Sequence, residues 1–160
     1  AEKKGVVIAF GSMYGNTADM AQQLARLLSF RGITDIKIYD VSKTNPSYII
    51  ADAWKYSHLV CMAPTYNLAL YLTMENLLYE LKALNFHNHK VSIVGNHSWA
   101  SAAMKRMVDY FTNQIKDMEI VGTPLDIRGA LHQDQLKLFA KLADDIAKSI
   151  NETEIKTFSL

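Results

Sequence analysis

Short runs of apolar, often β-branched residues alternate along the chain with segments whose apolar residues recur every three or four positions. The runs lie at 5–10, 35–41, 57–63, 90–95 and 119–127. Runs of this length, bounded by glycine, proline and polar residues, are typical of buried β-strands. We therefore expect five strands, separated by the periodic segments.

The periodic segments predict amphipathic helices at about 17–31, 46–56, 74–84, 102–111 and 134–150. Gly32 follows the first of them at the position where a helix commonly ends, and Pro46 suits the first turn of the second. Because strands and helices alternate throughout, the order predicts an α/β fold. Its parallel sheet would carry helices on both faces, joined by right-handed crossovers.

The length and composition are those of one domain. A chain of 160 residues with 49% hydrophobic residues can fill one core. Because no repeat or internal linker interrupts it, we expect the compact domain at 5–150 and flexible segments at 1–4 and 151–160. Cys61 lies inside an apolar run, so we expect it to fill core space, and a single cysteine excludes an internal disulfide.

The charge and hydropathy argue against two classes of partner. The 17 Lys and Arg residues are dispersed and the net charge is only +1, which argues against nucleic acid. No apolar stretch approaches the roughly 18 residues that span a bilayer, and no signal-like segment opens the chain. We therefore expect a soluble, cytoplasmic protein without membrane contact.

The loop between the first strand and the first helix has the residue types of an anion site. Gly11, Ser12, Gly15, Asn16 and Thr17 place hydroxyls and flexible backbone where unpaired amides and the positive end of the helix dipole face outward. A nest of backbone amides can enclose phosphate oxygens without a lysine. The loop matches neither the P-loop nor the dinucleotide-binding consensus. An ordinary strand-to-helix turn with an Asn-Thr cap is the alternative.

Two further loops at the same edge of the sheet carry aromatic residues. In an open parallel sheet, ligands bind beyond the carboxyl ends of the strands, where the strand order reverses. Tyr66 follows the third strand and Trp99 the fourth, and a pair of aromatic side chains beside one crevice suits a flat ring system. Packing of each aromatic against neighbouring loops is the alternative. Together the three loops predict a phosphorylated planar cofactor.

Four segments carry a resemblance to a known family. The segment SMYGNT at 12–17 resembles the phosphate loop of flavodoxins. The segments IYDVSKTNPSYIIADAWKY at 38–56, APTYN at 63–67 and SWASAAMKRM at 98–107 resemble the flavodoxin domain of A-type flavoproteins, also called flavodiiron proteins. The resemblance covers nearly the whole domain. It implies a flavodoxin-like three-layer sandwich with a five-stranded parallel sheet in the order 2-1-3-4-5.

The cofactor that this resemblance implies is FMN. Its phosphate would be held by consecutive residues of the first loop, namely Ser12, Met13, Tyr14, Gly15, Asn16 and Thr17. Its ring would lie between residues of the other two loops, namely Pro64, Thr65, Tyr66, Asn67, Asn96, His97, Ser98 and Trp99. The resemblance assigns no catalytic or metal-binding residue to this chain.

The implied function is electron transfer, as the flavodoxin module of a flavodiiron-type oxygen or nitric oxide reductase. Electrons would pass from a rubredoxin or a flavin reductase to a di-iron site in a β-lactamase-like domain. That domain would belong to the same parent chain or to a dimer mate, because the family's iron ligands lie outside the flavodoxin domain. His87 and His89 do not replace those ligands, since no acidic third ligand accompanies them.

The chain departs from the family pattern at two places. Leu68 and Ala69 stand where family members usually carry Asn-Gly, and 100–103 stand where they carry glycines. Three alternative functions stay open: a free-standing flavodoxin, an FMN-dependent quinone reductase, and a non-enzymatic adaptor that has lost FMN. A receiver domain is excluded, because Phe10 and 62–64 stand where it needs carboxylates. Neither loop expected to hold the ring contains Asp or Glu.

Overall fold

A parallel sheet forms the middle layer of the fold, and helices pack on both of its faces. The computed structural model describes residues 1–155. The strands are β1 Lys3–Phe10, β2 Ile36–Asp40, β3 Tyr56–Tyr66, β4 Ala69–Leu70, β5 Lys90–His97, β6 Glu119–Ile120 and β7 Leu125–Arg128. The helices are α1 Asn16–Phe30, α2 Pro46–Lys55, α3 Leu72–Ala83, α4 Ala103–Asp109 and α5 Gln133–Glu152, and α4 continues into a π-helical turn, Tyr110–Gln114.

The order of the parallel strands confirms the predicted 2-1-3-4-5 arrangement, although the sheet has more than five strands. Its path is β2-β1-β3-β5-β6, and β7 pairs with β5 beyond β6. The expected fifth strand is therefore two short strands, which both run parallel to β5. Between them lies Gly122, whose φ of 74° is incompatible with a continuous strand. The additional strand β4 forms an antiparallel hairpin with β3.

Alternating residues of the central strands supply the two apolar layers. Val6 and Ile8 face the layer that includes α1 and α5, whereas Val7 and Ala9 face the layer that includes α2, α3 and α4. This division follows from the two-residue period of a strand. Cys61 is fully buried in the second layer, which confirms that it fills core space, and burial raises the pKa of its thiol.

Two glycines allow the close approaches that shape the carboxyl edge of the sheet. A Cβ on Gly95 would lie 2.8 Å from the backbone nitrogen of Met104, so the start of α4 can approach β5 only over a glycine. A Cβ on Gly11 would overlap the ring of Tyr71, which covers the end of β1. A side chain at either position would push apart the elements that carry the loops.

The ordered elements extend slightly beyond the expected domain limits. Lys3 and Lys4 belong to β1 rather than to a loose end, and α5 continues through Asn151 and Glu152. Pairing of Lys3 with Tyr56 of β3 explains the first extension. The predicted flexible tail at 151–160 lies partly outside the described residues, at 156–160. Within residues 1–155, no helix is long and apolar enough to cross a membrane.

A buried histidine joins β3 to α5 at the opposite edge of the sheet. His58 is 2% exposed, and its Nδ1 lies 2.7 Å from the hydroxyl of Ser57 while its Nε2 lies 2.8 Å from that of Ser149. Burial is the main cause that lowers the pKa of His58 to about 4, and the positive charge of Lys90 contributes. The ring is therefore neutral near pH 7.

This histidine should make the fold less stable in mild acid. The unfolded chain protonates His58 near pH 6.5 and the native chain only near pH 4. The unfolded state thus binds more protons between these values, and stability falls as the pH drops through that window, by on the order of 3 kcal/mol. Urea unfolding at neutral pH and at about pH 4.5 measures the loss.

The comparison variants are His58→Gln and His87→Gln. His58→Gln removes the titrating group and should flatten the pH dependence. His87→Gln, at a partly exposed histidine bonded to the Asn85 carbonyl, should keep it. Burial also lowers the pKa of His89, so a smaller acid loss should persist in His58→Gln. An unchanged pH dependence in His58→Gln would contradict the assignment.

Candidate functional site

Two adjoining spaces lie at the carboxyl edge of the sheet, between the β1 loop (11–15), the β3 hairpin (64–70) and the β5 loop (98–102). An inner space of about 80 Å³ is lined by Ser12, Met13, Tyr14, Asn16, Thr17, Pro64, Thr65, Asn96, His97, Ser98 and Gly129. An outer space of about 190 Å³ is lined by Met13, Tyr14, Thr65, Tyr66, Asn67, Leu68, Ser98, Trp99 and Ala100. Every site residue predicted from the sequence lines one of them, except Gly15.

Gly15 shapes the β1 loop although it lines neither space. It has φ 88° and ψ −16°, a left-handed conformation that glycine adopts readily. Its amide donates to the hydroxyl of Ser12 at 3.1 Å, and its carbonyl accepts from the amide of Asp19 at 2.9 Å. The loop is thus bent by its own hydrogen bonds and leads directly into α1.

Thr17 supplies a hydroxyl in the first turn of α1. The residue is only 2% exposed, and within residues 1–155 its hydroxyl has no hydrogen-bond partner while the residue lines the inner space. The first amides of the helix also lack acceptors within it, and the helix dipole is positive here. The inner space therefore has the donors of an anion site.

Three aromatic side chains surround the outer space and leave much of their surface uncovered. Tyr14 is 87% exposed, Trp99 81% and Tyr66 49%. Exposed aromatic residues that cluster around one opening are typical of a binding surface rather than of packing within the protein. Tyr66 and Trp99 are thus largely exposed, and their role in ligand binding stays a prediction.

The hydroxyl of Thr65 makes its hydrogen bonds within the protein. Its hydroxyl accepts hydrogen bonds from the amides of Ala102 and Ala103, both at 2.9 Å. These amides stand at the start of α4, whose own N-cap residue makes no side-chain hydrogen bond. Thr65 thus caps a helix from a neighbouring strand, and it holds the β5 loop against the β3 hairpin.

The side-chain amide of Asn96 also makes its hydrogen bonds within the protein. Its side-chain nitrogen donates to the carbonyls of Ile127 at 2.9 Å and Gly129 at 2.7 Å, and the residue is buried. Both amide hydrogens are therefore used to hold the end of β7 against β5. The carboxamide brings Gly129 to the inner space and has no donor left for a ligand.

The carboxylate of Asp126, which the sequence analysis did not predict at this site, is hydrogen-bonded to His97. Asp126 of β7 lies with its Oδ1 2.8 Å from Nδ1 of His97, and its Oδ2 accepts from the hydroxyl of Ser101. The two loops themselves contain no acidic residue, but the neighbouring strand provides one. Strand order was the signal that could have found it, because β7 ends beside β5.

Comparison with known proteins identifies the family. The sequence model of the flavodoxin family matches residues 8–138. The chain belongs to the flavodoxin family. Its members bind FMN and transfer electrons, and the family explains the match between the predicted strand order and the observed one.

Individual relatives are more distant and differ in length. The chain is 27% identical over 138 residues to the uncharacterized protein MJ0732 of Methanocaldococcus jannaschii, covering 84% of this chain and 34% of that protein. The rubredoxin oxygen:oxidoreductase of Desulfovibrio gigas matches with a TM-score of 0.85 and 22% identity, covering 94% and 37%. A flavodoxin from the domain Archaea matches at 0.78 and 17%, covering 92% and 99%. The chain thus spans about a third of the first two proteins.

The turn of the β3 hairpin is strained. Thr65 pairs with Leu70 and Tyr66 with Ala69, so Asn67 and Leu68 form a two-residue turn. Both have positive φ, 48° and 63°. Asparagine tolerates this conformation, whereas a leucine in it costs roughly 1–2 kcal/mol. Leu68 is therefore the turn position whose backbone conformation favours glycine, whereas Ala69 is paired within β4.

His87 and His89, in the segment between α3 and β5, line neither of the two spaces. His89 is buried and packs against Phe86 and Trp54. Its two ring nitrogens lie 2.7 Å and 3.1 Å from backbone carbonyls. Within residues 1–155, no group of three or more His, Cys, Asp or Glu side chains is arranged to hold a metal ion.

The capping role of Thr65 predicts a loss of stability in Thr65→Val. This change keeps the shape and removes the acceptor of two amides, so it should lower the free energy of unfolding by about 1–2 kcal/mol. Thr73→Val is the matched control, because the Thr73 hydroxyl is buried without a partner and its removal should be neutral or stabilising. Urea unfolding measures both. Equal effects of the two substitutions would refute the capping role.

Proposed function

We propose that this chain binds FMN and acts as an electron-transfer domain. The observation that carries the proposal is the adjacency of two unlike spaces. The inner one is small and has unpaired donors at the start of α1, and the outer one is open and surrounded by Tyr14, Tyr66 and Trp99. A phosphate at one end of a ligand and a flat ring at the other require this combination.

The residues of the chain would bind and orient the cofactor, and FMN would supply the one- and two-electron redox chemistry. The hydroxyl of Thr17 and the amides of the first turn of α1 would donate to phosphate oxygens. Tyr66 and Trp99 would cover the ring. Because these aromatic residues belong to loops at the rim of the site, the ring edge would stay accessible to a redox partner.

We further propose that the physiological context is a flavodiiron-type reductase. The support is the resemblance of 38–56, 63–67 and 98–107 to that class, together with the likeness in fold to the Desulfovibrio gigas protein. The acceptor would be a di-iron domain, and the donor a rubredoxin or a flavin reductase. A free-standing carrier is the second candidate, favoured by the 99% coverage of that archaeal flavodoxin.

Thr17→Val should separate phosphate binding from ring binding. The substitution removes a hydrogen bond to a charged group, so FMN should bind about 10- to 150-fold more weakly, corresponding to roughly 1.5–3 kcal/mol. Riboflavin, which lacks the phosphate, should bind wild type and variant equally. Fluorescence titration of the apoprotein measures both dissociation constants. Thr112→Val, at an exposed threonine outside both spaces, is the matched control.

Two results would count against FMN binding. The first is a wild-type protein that takes up no FMN and shows no rise in melting temperature with it, although ligand at a hundredfold excess over Kd should stabilise by about 2.7 kcal/mol. The second is an unchanged FMN affinity in Thr17→Val with unchanged apoprotein stability. That second result would show that the Thr17 hydroxyl does not bind the phosphate.

The flavodiiron context predicts a division of labour between two domains. The reduced, metal-free protein mixed with nitric oxide under anaerobic conditions should form no nitrous oxide catalytically. Addition of a separately produced di-iron domain should start turnover and reoxidise the protein. Stopped-flow absorbance and gas analysis measure the two events. Rapid nitrous oxide formation by the isolated chain would overturn this context, and rapid exchange only with ordinary flavodoxin partners would favour the free-standing carrier.

A further inference from the structure

An open groove adjoins the two spaces of the proposed FMN site and has no part in the proposed function. Its volume is about 760 Å³, and it runs between the β3 hairpin with the start of α3 on one side and α4 on the other. Leu68 lines both this groove and the outer space. Pockets that bind small organic molecules have volumes of roughly 300–1,000 Å³. The groove is therefore large enough for a ligand of its own.

One wall of the groove is apolar. Leu68 and Leu72 are 65% and 66% exposed, and the buried Leu70 lines the groove with them. Ala69 and Ala102 add two small apolar side chains. Large exposed apolar residues that share one concave surface are typical of a binding site, whereas scattered ones are ordinary. This wall would be covered by the apolar part of a ligand.

The other wall carries an ion pair that joins α3 to α4. Nε and Nη2 of Arg106 donate to Oε1 of Glu75 at 3.0 Å and 2.8 Å. The Cζ atom of Arg106 also lies 4.9 Å from the ring centre of Tyr110. A planar guanidinium held at two of its nitrogens and over an aromatic ring has one orientation. The polar end of the groove is therefore preorganised.

The second carboxylate of the groove is engaged by the end of α4. Oδ1 of Asp109 accepts from the side-chain nitrogen of Asn113 at 2.8 Å, and Oδ2 accepts from that of Gln114 at 2.7 Å. Both donors belong to the π-helical turn that follows α4, a kind of turn that recurs at functional sites. Three of the four carboxylate oxygens in the groove thus accept hydrogen bonds from the protein, and Oε2 of Glu75 is the fourth.

The unused polar groups of the groove are mainly donors. Within residues 1–155, the ammonium of Lys105 makes no hydrogen bond or ion pair, and Nη1 of Arg106 makes no hydrogen bond. Oδ2 of Asp109 lies 3.8 Å from that Nη1, beyond hydrogen-bond distance. Two cationic and two anionic side chains line the groove, so their charges balance. Unused donors favour an acceptor atom on the ligand, and balanced charges favour a ligand without net charge.

We propose that this groove is a second binding site, for a small, uncharged, mainly apolar molecule that carries a carbonyl group. The apolar body lies along Leu68 and Leu72, and the carbonyl oxygen accepts from Lys105 and from Nη1 of Arg106. The site goes beyond the proposed function and does not depend on it, because Leu68 is the single lining residue that it shares with the outer space. A molecule bound in the groove lies beside the outer space.

The probe is Prodan, an uncharged naphthalene ketone, and phenylnaphthylamine is the matched compound without a carbonyl. Equilibrium dialysis measures both dissociation constants, with and without saturating FMN. Prodan should bind in both conditions, because the groove stays open when the outer space is filled. Leu72→Gln should weaken both compounds about tenfold, since it makes the apolar wall polar. Leu138→Gln, at a leucine of α5 that is 49% exposed and outside the groove, should weaken neither.

Lys105→Met tests the hydrogen bond to the carbonyl. It keeps an unbranched side chain and removes the donor, so Prodan should bind about 2- to 10-fold more weakly while phenylnaphthylamine does not weaken. Emission of bound Prodan should also move to shorter wavelength, because a hydrogen bond to its carbonyl moves the emission to longer wavelength. Lys137→Met, at an exposed lysine of α5, is the control. FMN affinity should be unchanged in each variant, since Leu72 and Lys105 line neither FMN space.

The proposal is overturned if wild type binds no Prodan, or if FMN displaces it, which would place the probe in the outer space. Equal effects of Leu72→Gln and Leu138→Gln, or an equal effect of Lys105→Met on both compounds, would also overturn it. Tighter binding of anilinonaphthalene sulfonate than of Prodan would indicate an anion site instead. A wild-type dimer that Leu72→Gln dissociates in sedimentation would assign the groove to contact between two copies. If wild type takes up no FMN, the proposed function fails, and dialysis without FMN still decides whether the groove binds the probe.

Discussion

The hydrogen bonds that Thr65 and Asn96 make with the backbone of neighbouring segments hold the carboxyl edge of the sheet in one arrangement. Thr65 fixes the start of α4 against β3, and Asn96 fixes the end of β7 against β5. Thr65 accepts hydrogen bonds from two backbone amides, and Asn96 donates to two backbone carbonyls. These backbone groups are therefore paired where the loops meet.

These internal hydrogen bonds divide the polar residues of the site into two groups. Thr65 and Asn96 have used their hydrogen-bonding groups within the protein and act as supports. Thr17 and the first amides of α1 have unused donors, and these face the inner space. A ligand should therefore interact with the α1 side of the space through side chain and amide donors. On the opposite side, the supporting residues offer it mainly surface and backbone.

Most of the fold could be predicted from the sequence, but the separation of supporting residues from residues with free donors could not. Helix periodicity placed α1 and α5 within one or two residues, because an amphipathic face extends over several turns. The break between β6 and β7 escaped prediction, since Gly122 lies inside the run 119–127 that was expected to form one strand. The motif resemblance grouped Thr65 and Asn96 with ligand-binding residues, because a linear motif does not show which partner a side chain has in the fold. Asp126 escaped for the same reason, since only strand order brings it to His97.

The strain at Leu68 is balanced by pairing on both sides of the turn. Thr65 and Tyr66 pair with Leu70 and Ala69, and the amide of Tyr71 donates to the carbonyl of Pro64 at 3.1 Å. These contacts define the hairpin register, so the turn residues must adopt positive φ whatever their side chains prefer. A leucine there has fewer accessible backbone conformations than a glycine would. Its side chain is also largely exposed, at 65%. Leu68 therefore makes the turn stiffer than a glycine would and adds apolar surface beside the outer space.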